Sequence, residues 1–222
     1  MKKGFIALFA LAILAIPAVC LATPPIPGAY VSGFIGVSIP DDTDVTGSQL
    51  DDRVKFDPGV NLGATGGFDF GMLRLEGELS YKHGEITSVL DRIAGERFRN
   101  IDGRIGVMAM MGNMFIDLHN PSPITPYFGG GIGFAAVHQD DTFGTSTLTG
   151  DRVNLYESDD DAVLAYQAGA GLEISLNRIL SLDLSYRYFR TSRASFNDDS
   201  FNSDSEFKFE SHNAAAGIRV KF

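Results

Sequence analysis

The chain has 222 residues, 28 of them acidic and 18 basic, and its formal net charge at pH 7 is −10. An acidic balance without a basic cluster argues against nucleic acid as a partner, because phosphate binding needs grouped lysines and arginines. The one cysteine, Cys20, lies in an N-terminal segment predicted to be removed, so we expect neither a disulfide scaffold nor a cysteine-ligated metal in the remaining chain.

The N-terminal residues follow the pattern of a secretory signal peptide. Lys2 and Lys3 form the positive region, residues 5–19 form the apolar stretch, and residues 20–22 are a small-residue cleavage site. We predict cleavage after Ala22, which divides the chain into a signal peptide, residues 1–22, and one domain, residues 23–222. Lipid attachment at Cys20 is disfavoured, because the residues before it lack the pattern of a lipoprotein site.

Eight later segments have strand character, because their apolar and polar residues alternate with a period of two. In the third of them, for example, Leu73 and Leu75 stand on either side of Arg74. In the first segment either face is suited to lipid, and in the fourth the alternation fails over residues 108–114, which predicts a β-bulge. The predicted strands are residues 29–39, 59–70, 73–83, 98–117, 125–137, 162–176, 179–190 and 213–222.

The connections between these strands alternate in length. Residues 71–72, 118–124 and 177–178 predict short turns, whereas residues 40–58, 84–97, 138–161 and 191–207 predict long polar loops. Short turns at one end and long loops at the other are typical of outer-membrane barrels, and a soluble sandwich does not sort its loops in this way. We therefore predict an all-β fold, an eight-stranded antiparallel up-and-down transmembrane β-barrel with short periplasmic turns and long extracellular loops.

Recognisable motifs run from the third predicted strand to the last. They are LRLEGELSY at 73–81, MGNMF at 111–115, TPYFGGGIG at 125–133, YQAGAG at 166–171, LDLSYRY at 182–188 and GIRVKF at 217–222. With these motifs the chain resembles the small outer-membrane barrels of the opacity-protein and OmpX-like type, often labelled porin-like surface antigens. The resemblance implies a surface-exposed integral protein of a Gram-negative outer membrane, but it does not name an activity.

The polar faces of the predicted strands carry nine charged residues that we expect to point into the barrel. Eight strands enclose an interior just wide enough for side chains, and a buried charge without a partner is strongly destabilising. We therefore predict a structural network of ion pairs that plugs the lumen. The alternative, a narrow channel lined by the same residues, needs a hole that eight strands do not readily supply. The network residues are Arg74, Glu76, Glu78, Asp102, Arg104, Glu173, Asp183, Arg187 and Arg219.

The long loops are rich in aspartate, as at Asp140, Asp141 and residues 159–161. Dense carboxylates attract divalent cations, but none of these runs has the ligand spacing and central glycine of a calcium-binding loop. We predict solvated loop faces and no metal site.

Catalysis needs a nucleophile with a nearby base, and the histidines are the candidate bases. His212 follows Ser211, His83 ends the third predicted strand, and His138 is near Asp140 in the following connection. In the predicted registers His212 points away from the lumen, and no paired carboxylate site is evident. We therefore predict no enzymatic activity, no catalytic residue and no cofactor.

Ile218, Val220 and Phe222 share the apolar face of the last strand. The resemblance implies that this ending is an assembly signal read by the barrel-assembly machinery, and that the last strand pairs with the first. We expect a monomer surrounded by outer-membrane lipid and lipopolysaccharide, with a structural or surface-interaction role in the envelope. The alternative function is a narrow porin-like channel for small solutes, and the sequence does not identify an extracellular ligand.

Overall fold

The structure is a computed structural model, and it describes residues 27–46, 51–91, 96–139, 142–147, 150–156, 159–192, 194–198 and 203–222. The predicted signal peptide lies outside these residues. Within them no helix is long and apolar enough to cross a membrane. The described strands are β1 (Gly28–Pro40), β2 (Thr43–Thr46), β3 (Asp51–Asp57), β4 (Gly59–Asp69), β5 (Leu73–Asp91), β6 (Glu96–Asp102), β7 (Arg104–Asp117), β8 (Ile124–Gln139), β9 (Thr142–Ser146), β10 (Arg152–Tyr156), β11 (Asp159–Ser175), β12 (Leu180–Thr191), β13 (Ala194–Asp198), β14 (Ser203–Phe207) and β15 (Glu210–Lys221).

Eight of these strands form a closed antiparallel barrel. Around the ring the order is β1, β4, β5, β7, β8, β11, β12 and β15, and each strand pairs with the next. The ring closes where β15 pairs with β1, from Tyr30 opposite Lys221 to Pro40 opposite Ser211. The predicted eight-stranded up-and-down barrel and the pairing of its last strand with its first are confirmed.

The side chains of the barrel strands alternate between the lumen and the outer surface, as the period of two requires. On β5 the charged side chains of Arg74, Glu76 and Glu78 are buried, whereas Leu75 and Leu79 are 45% and 49% exposed. The outer surface is therefore apolar on this strand, and the charges are enclosed. In this part of β5 the usual arrangement of a soluble domain is reversed, since the polar groups are inside.

The short turns lie together at one end of the barrel, with Phe222 and the start of β1, and we call this the short-turn end. At Gly71 the backbone has φ near +101°, a left-handed conformation that glycine adopts without strain, and its N–H donates to Asp69 Oδ1 at 2.8 Å. The side chain of Asn177 accepts from the N–H groups of Ile179 and Leu180 at 2.9 and 2.8 Å. These local hydrogen bonds fix the predicted turns.

The opposite end, the long-connection end, contains more strand than the sequence predicts. β5 continues to Asp91, well past residue 83, and short strands pair within the long connections, as β2 with β3, β9 with β10, and β13 with β14. The predicted long connections, residues 40–58, 84–97, 138–161 and 191–207, lie together at this end, and they contain strands that the sequence pattern does not predict. These segments extend the barrel wall beyond the eight-stranded ring.

The prediction of a bulge in the fourth segment is wrong, because residues 108–114 pair regularly in the described strand β7. β7 pairs with β5 and β8 without a register shift, and its burial alternates regularly from Arg104 to Asp117. The strand is interrupted earlier, at Gly103, between β6 and β7. Ile105 and Val107 face the lumen, opposite to the predicted register, while Met110 faces outward and is 65% exposed. Apolar side chains occupy both faces here, so alternation alone does not distinguish them.

The lumen has two layers of buried side chains. Toward the short-turn end lies a polar layer of charged and hydrogen-bonding groups, described below. Toward the long-connection end lies an apolar layer, which consists of Val54, Phe56, Ile86, Ile105, Val107, Ala109, Met111, Ala135, Val137, Val163, Ala165, Phe189 and Phe209. The core of this protein is therefore the interior of its barrel, polar in one half and apolar in the other.

Candidate functional site

At the base of the polar layer, Glu173 on β11 is shared by several cations. The guanidinium of Arg219 on β15 contacts Glu173, and its second terminal nitrogen lies 2.8 Å from Asp183 Oδ2 on β12. Lys221 Nζ lies 2.9 Å from Glu173 Oε1 and 3.4 Å from Asp69 Oδ2. Alternate residues of neighbouring strands all point inward, which brings these groups from separate parts of the chain into one cluster.

Arg74 stands inside a ring of aromatic side chains. Its guanidinium carbon lies 4.4 Å from the ring centre of Tyr127, 5.1 Å from that of Phe115 and 5.9 Å from that of Tyr30. Its terminal nitrogens are 3.5 Å from Asp117 Oδ1 and 3.6 Å from Glu173 Oε2, and the side chain is only 1% exposed. The aromatic faces and the two carboxylates together compensate the buried charge.

Arg187 on β12 joins the upper part of the polar layer to β5. One terminal nitrogen contacts Glu78, and the other lies 3.4 Å from Glu76 Oε1. Glu78 also accepts from Asn113 at 3.0 Å and from Gln167 at 2.8 Å, and Glu76 accepts from the Tyr30 hydroxyl at 2.8 Å. Glu76 also accepts from Asn113, at 3.4 Å, so each glutamate has three donors, but Glu78 lies closer than Glu76 to both Arg187 and Asn113.

Lys82 marks the boundary between the two layers. Its ammonium donates to Ser80 Oγ at 2.9 Å and lies 4.2 Å from the ring centre of Phe189, and the residue is 2% exposed. Above this point the inward side chains are mainly apolar, and the buried hydroxyl groups of Thr191 and Ser211 are already hydrogen-bonded within the protein, so a hydrated ion that enters the lumen meets a mainly apolar layer. An enclosed apolar constriction is unfavourable for ions.

A small cavity lies beside the Arg187 network. It has a volume of about 10 Å³, which is room for about one water molecule. Among its lining residues are Asn61, Asn213 and Arg187. Asn61 Oδ1, Asn213 Oδ1 and Arg187 Nε are buried without a hydrogen-bond partner among the described residues. This site suits one bound water rather than the passage of a solute.

The structure brings together seven of the nine residues predicted for the interior network. The prediction for Arg104 is wrong, because this side chain lies on the exposed face at the start of β7 and pairs in register with Glu85. The side chain of Asp102 lies outside the described part of the structure. The seven that meet in the lumen are Arg74, Glu76, Glu78, Glu173, Asp183, Arg187 and Arg219.

Several lumen residues were missing from the predicted network. Tyr30 was missed because both faces of the first strand suit lipid, and Asp117 because its strand was placed in the opposite register. The predicted polar faces do include Tyr127, Gln167, Lys82 and Lys221. Because these residues share a strand face with the charged network residues, the alternation could have identified them as lumen residues. With Asp69 added, the described residues place five cations in the lumen, Arg74, Lys82, Arg187, Arg219 and Lys221, and six carboxylates, Asp69, Glu76, Glu78, Asp117, Glu173 and Asp183.

The serine and histidine considered for catalysis do not face each other. Ser211 points into the barrel and is fully buried, whereas His212 points outward. His212 Nδ1 lies 2.6 Å from the Tyr186 hydroxyl, and its Nε2 lies 3.4 Å from Asp41 Oδ2. Adjacent strand residues project to opposite faces, so this pair cannot act as nucleophile and base.

The described residues contain no group of three or more histidine, aspartate, glutamate or cysteine side chains arranged to hold a metal ion. Asp140 and Asp141 lie outside them, so the absence of a metal site stays a prediction.

The C-terminal residues predicted to act in assembly lie on the outer face. Ile218 is 48% exposed and Phe222 is 79% exposed, and Val220 lies between them on the same side of β15. The Phe222 N–H donates to the carbonyl of Ala29 at 2.9 Å, which ties the chain end to β1. The terminal ring is thus accessible at the short-turn end.

Comparison with known proteins agrees with this architecture. A family model described as "Outer membrane protein beta-barrel domain" matches residues 6–222. An uncharacterized protein of Brucella abortus is 36% identical over 93 residues, covering 40% of this chain and 32% of the relative. The outer membrane protein PagN of Salmonella typhimurium is 26% identical over 118 residues, covering 53% of this chain and 48% of PagN. The chain thus spans about a third to a half of the length of these relatives.

Among solved structures, the outer membrane protein OprG from Pseudomonas aeruginosa superposes with a TM-score of 0.60 at 14% identity, covering 88% of this chain and 96% of OprG. This likeness concerns the fold alone. Because the family match spans nearly the whole sequence, the chain belongs to the outer membrane protein β-barrel family.

Proposed function

We propose that this outer-membrane barrel has a structural and surface-interaction role in the envelope, and that its lumen is closed to solutes. The observation that carries the proposal is the double filling of the lumen. Among the described residues, five cations and six carboxylates occupy the polar layer, and thirteen apolar residues form the layer above them. No catalytic step is assigned to these groups.

Each layer opposes conduction for a different reason. In the polar layer the charges contact each other, as Arg219 contacts Glu173 and Arg187 contacts Glu78, so a permeating ion has to separate buried ion pairs. In the apolar layer, Val107, Val137 and Phe189 are fully buried and offer no replacement for an ion's hydration shell. The two layers act in series, which supports a closed barrel more strongly than either layer alone.

The surface-interaction part of the proposal rests on what the barrel presents at its long-connection end. The wall is extended there by β2, β3, β6, β9, β10, β13 and β14, and the sequence of these connections is rich in aspartate. With the short turns in the periplasm, this end faces the outside. An extended acidic rim suits contact with cationic or hydroxylated surfaces rather than with nucleic acid.

Planar-bilayer recording tests the closed lumen. The folded protein is inserted from detergent, with a general porin in parallel bilayers as the control for insertion and detection. We expect no steady single-channel current from this protein at voltages where the porin conducts. Reproducible ion-selective steps would contradict the proposal and favour the narrow-channel alternative.

A further inference from the structure

Outward-facing polar and aromatic side chains cluster on neighbouring strands at the long-connection end. The cluster lies on β12, β15 and the residue that follows β1, which are adjacent in the barrel. We call it the rim patch, and it consists of Asp41, Tyr186, Tyr188, Arg190, Glu210 and His212. It faces away from the lumen and takes no part in the networks described above.

The rim patch begins where the apolar outer surface ends. On β12 the outward residues change from Leu180, Leu182 and Leu184 to Tyr186 and Tyr188. At about 3.3 Å per residue, Tyr188 lies about 26 Å along the strand from Leu180. Because barrel strands are tilted by about 35–45°, this distance spans a height of about 20 Å, compared with about 25 Å for an outer-membrane apolar band. The patch therefore lies at the outer edge of the apolar band, next to the lipid headgroups.

Within the patch, protein groups already satisfy the hydroxyl groups. Tyr188 donates to Glu210 Oε2 at 2.6 Å, and the Tyr186 hydroxyl pairs with His212 at 2.6 Å. The rings of Tyr186 and His212 are nearly parallel, with centres 6.0 Å apart, and the ring of Tyr188 lies 5.2 Å from His212. The hydrogen bonds hold the rings in place, so the patch presents a preorganised aromatic surface.

The charged groups of the patch are paired but accessible. Arg190 Nε lies 3.0 Å from Glu210 Oε1, and these side chains are 32% and 28% exposed. A guanidinium has five N–H donors, many more than one carboxylate oxygen uses, and it suits the geometry of phosphate. Asp41 is 44% exposed and adds an accessible acceptor. The surface thus combines aromatic faces, carboxylate acceptors and a phosphate-binding donor.

We propose that the rim patch binds the phosphorylated amino-sugar headgroup of outer-leaflet lipopolysaccharide. The rings fit the apolar face of a sugar, Asp41 and Glu210 accept hydrogen bonds from hydroxyl and amide groups, and Arg190 donates to a phosphate. This inference rests on the proposed orientation of the barrel in the outer membrane. It names one lipid component and one place on the wall, whereas the family assignment concerns the fold.

A second outward pair at a comparable height provides a matched control. Tyr81 and His83 on β5 have stacked rings with centres 6.4 Å apart, and Tyr81 is eight residues from the start of its strand, as Tyr188 is from Leu180. Beyond His83, Glu85 on β5 stands opposite Arg104 on β7, but the described side chains of these two residues form no ion pair like that of Arg190 with Glu210. Tyr81 therefore tests whether an aromatic side chain at the membrane interface is sufficient by itself for lipid binding.

Native mass spectrometry of the full folded barrel in zwitterionic detergent tests the proposal. Equal amounts of purified lipid A and phosphatidylglycerol are added, and the ratio of bound lipid A to bound phosphatidylglycerol is measured. The variants are Arg190→Gln, Tyr188→Ala and the control Tyr81→Ala, and heat-modifiable electrophoretic mobility checks that each is folded. Arg190→Gln changes an accessible side chain, so it provides a readout even if Tyr188→Ala does not fold.

We expect the wild type to prefer lipid A. Arg190→Gln and Tyr188→Ala should each lower that preference about ten-fold, as for one lost hydrogen bond to a charged group. Tyr81→Ala should retain the preference. The proposal is overturned if the wild type binds both lipids equally, if Arg190→Gln keeps the preference, or if Tyr81→Ala loses it as well. A barrel that inserts and stays closed but shows no preference contradicts this inference alone. A barrel that conducts or does not insert contradicts the proposed function.

Discussion

Replacing Glu78 by glutamine tests whether the polar layer is a set of specific ion pairs. Glu78 contacts Arg187 directly and accepts from Asn113 and Gln167, whereas Glu76 reaches the same arginine only at 3.4 Å. Both glutamates are buried, and glutamine keeps the size of the side chain while removing its charge. The two positions therefore differ chiefly in their contact with Arg187.

Loss of one hydrogen bond between charged groups costs about 1.5–3 kcal/mol, and removal of one partner of a buried pair costs about 3–5 kcal/mol. Arg187 retains Glu76 as a second carboxylate, so the lower part of this range applies. We expect Glu78→Gln to lower the free energy of unfolding by about 2–3 kcal/mol. Glu76→Gln should lower it by about 1–2 kcal/mol, because glutamine still accepts from the Tyr30 hydroxyl.

Urea unfolding of the barrel in lipid vesicles measures these differences, followed by circular dichroism and by heat-modifiable mobility. Glu85→Gln is the matched control, since it makes the same chemical change on the same strand at an exposed position, and its effect should stay within about 0.5 kcal/mol. Equal effects of Glu78→Gln and Glu85→Gln, or a larger effect of Glu76→Gln than of Glu78→Gln, would refute the assigned pairing.

Three further predictions address other parts of the barrel. Arg74→Ala should lower the free energy of unfolding by about 3–5 kcal/mol, because it leaves the buried Asp117 carboxylate without its cation and removes one of the three cations around Glu173. Outward-facing Arg104→Ala should change it by less than about 0.5 kcal/mol in the same urea titration, and similar values for the two variants would contradict the observed register of β7. Gly129→Ala should destabilise the barrel by about 1–3 kcal/mol, since the added Cβ would lie 2.0 Å from the Met114 carbonyl oxygen. At Gly77 the atom nearest to an added Cβ is 3.8 Å away. Thermal unfolding should therefore be unchanged in Gly77→Ala. Deletion of Phe222 should reduce the amount of barrel in outer membranes much more than it reduces refolding in detergent, as measured by heat-modifiable mobility, and wild-type membrane levels would exclude a terminal assembly signal.

Where one face of a strand is charged and the other apolar, the sequence by itself determined the structure. On β5, Arg74 and Glu76 alternate with Leu73 and Leu75, and only one orientation satisfies both an apolar surrounding and an enclosed polar interior. The short turns also depend on local sequence, because the Gly71 backbone adopts a left-handed conformation and the Asn177 side chain accepts a hydrogen bond from the N–H of Leu180. Strand number, ring order and the faces of β4, β5 and β12 followed from such features.

Only the tertiary structure decided the remaining features. β7 is apolar on both faces, so its register depends on the apolar layer that receives Ile105 and Val107, and that layer is assembled from strands distant in the sequence. Likewise, the pattern places Glu76, Glu78 and Arg187 in one lumen but does not state that Arg187 reaches Glu78 more closely than Glu76. The alternation of residue types along a strand predicts which residues share a face of that strand. Which groups meet across the lumen depends on the stagger of the strands around the closed ring.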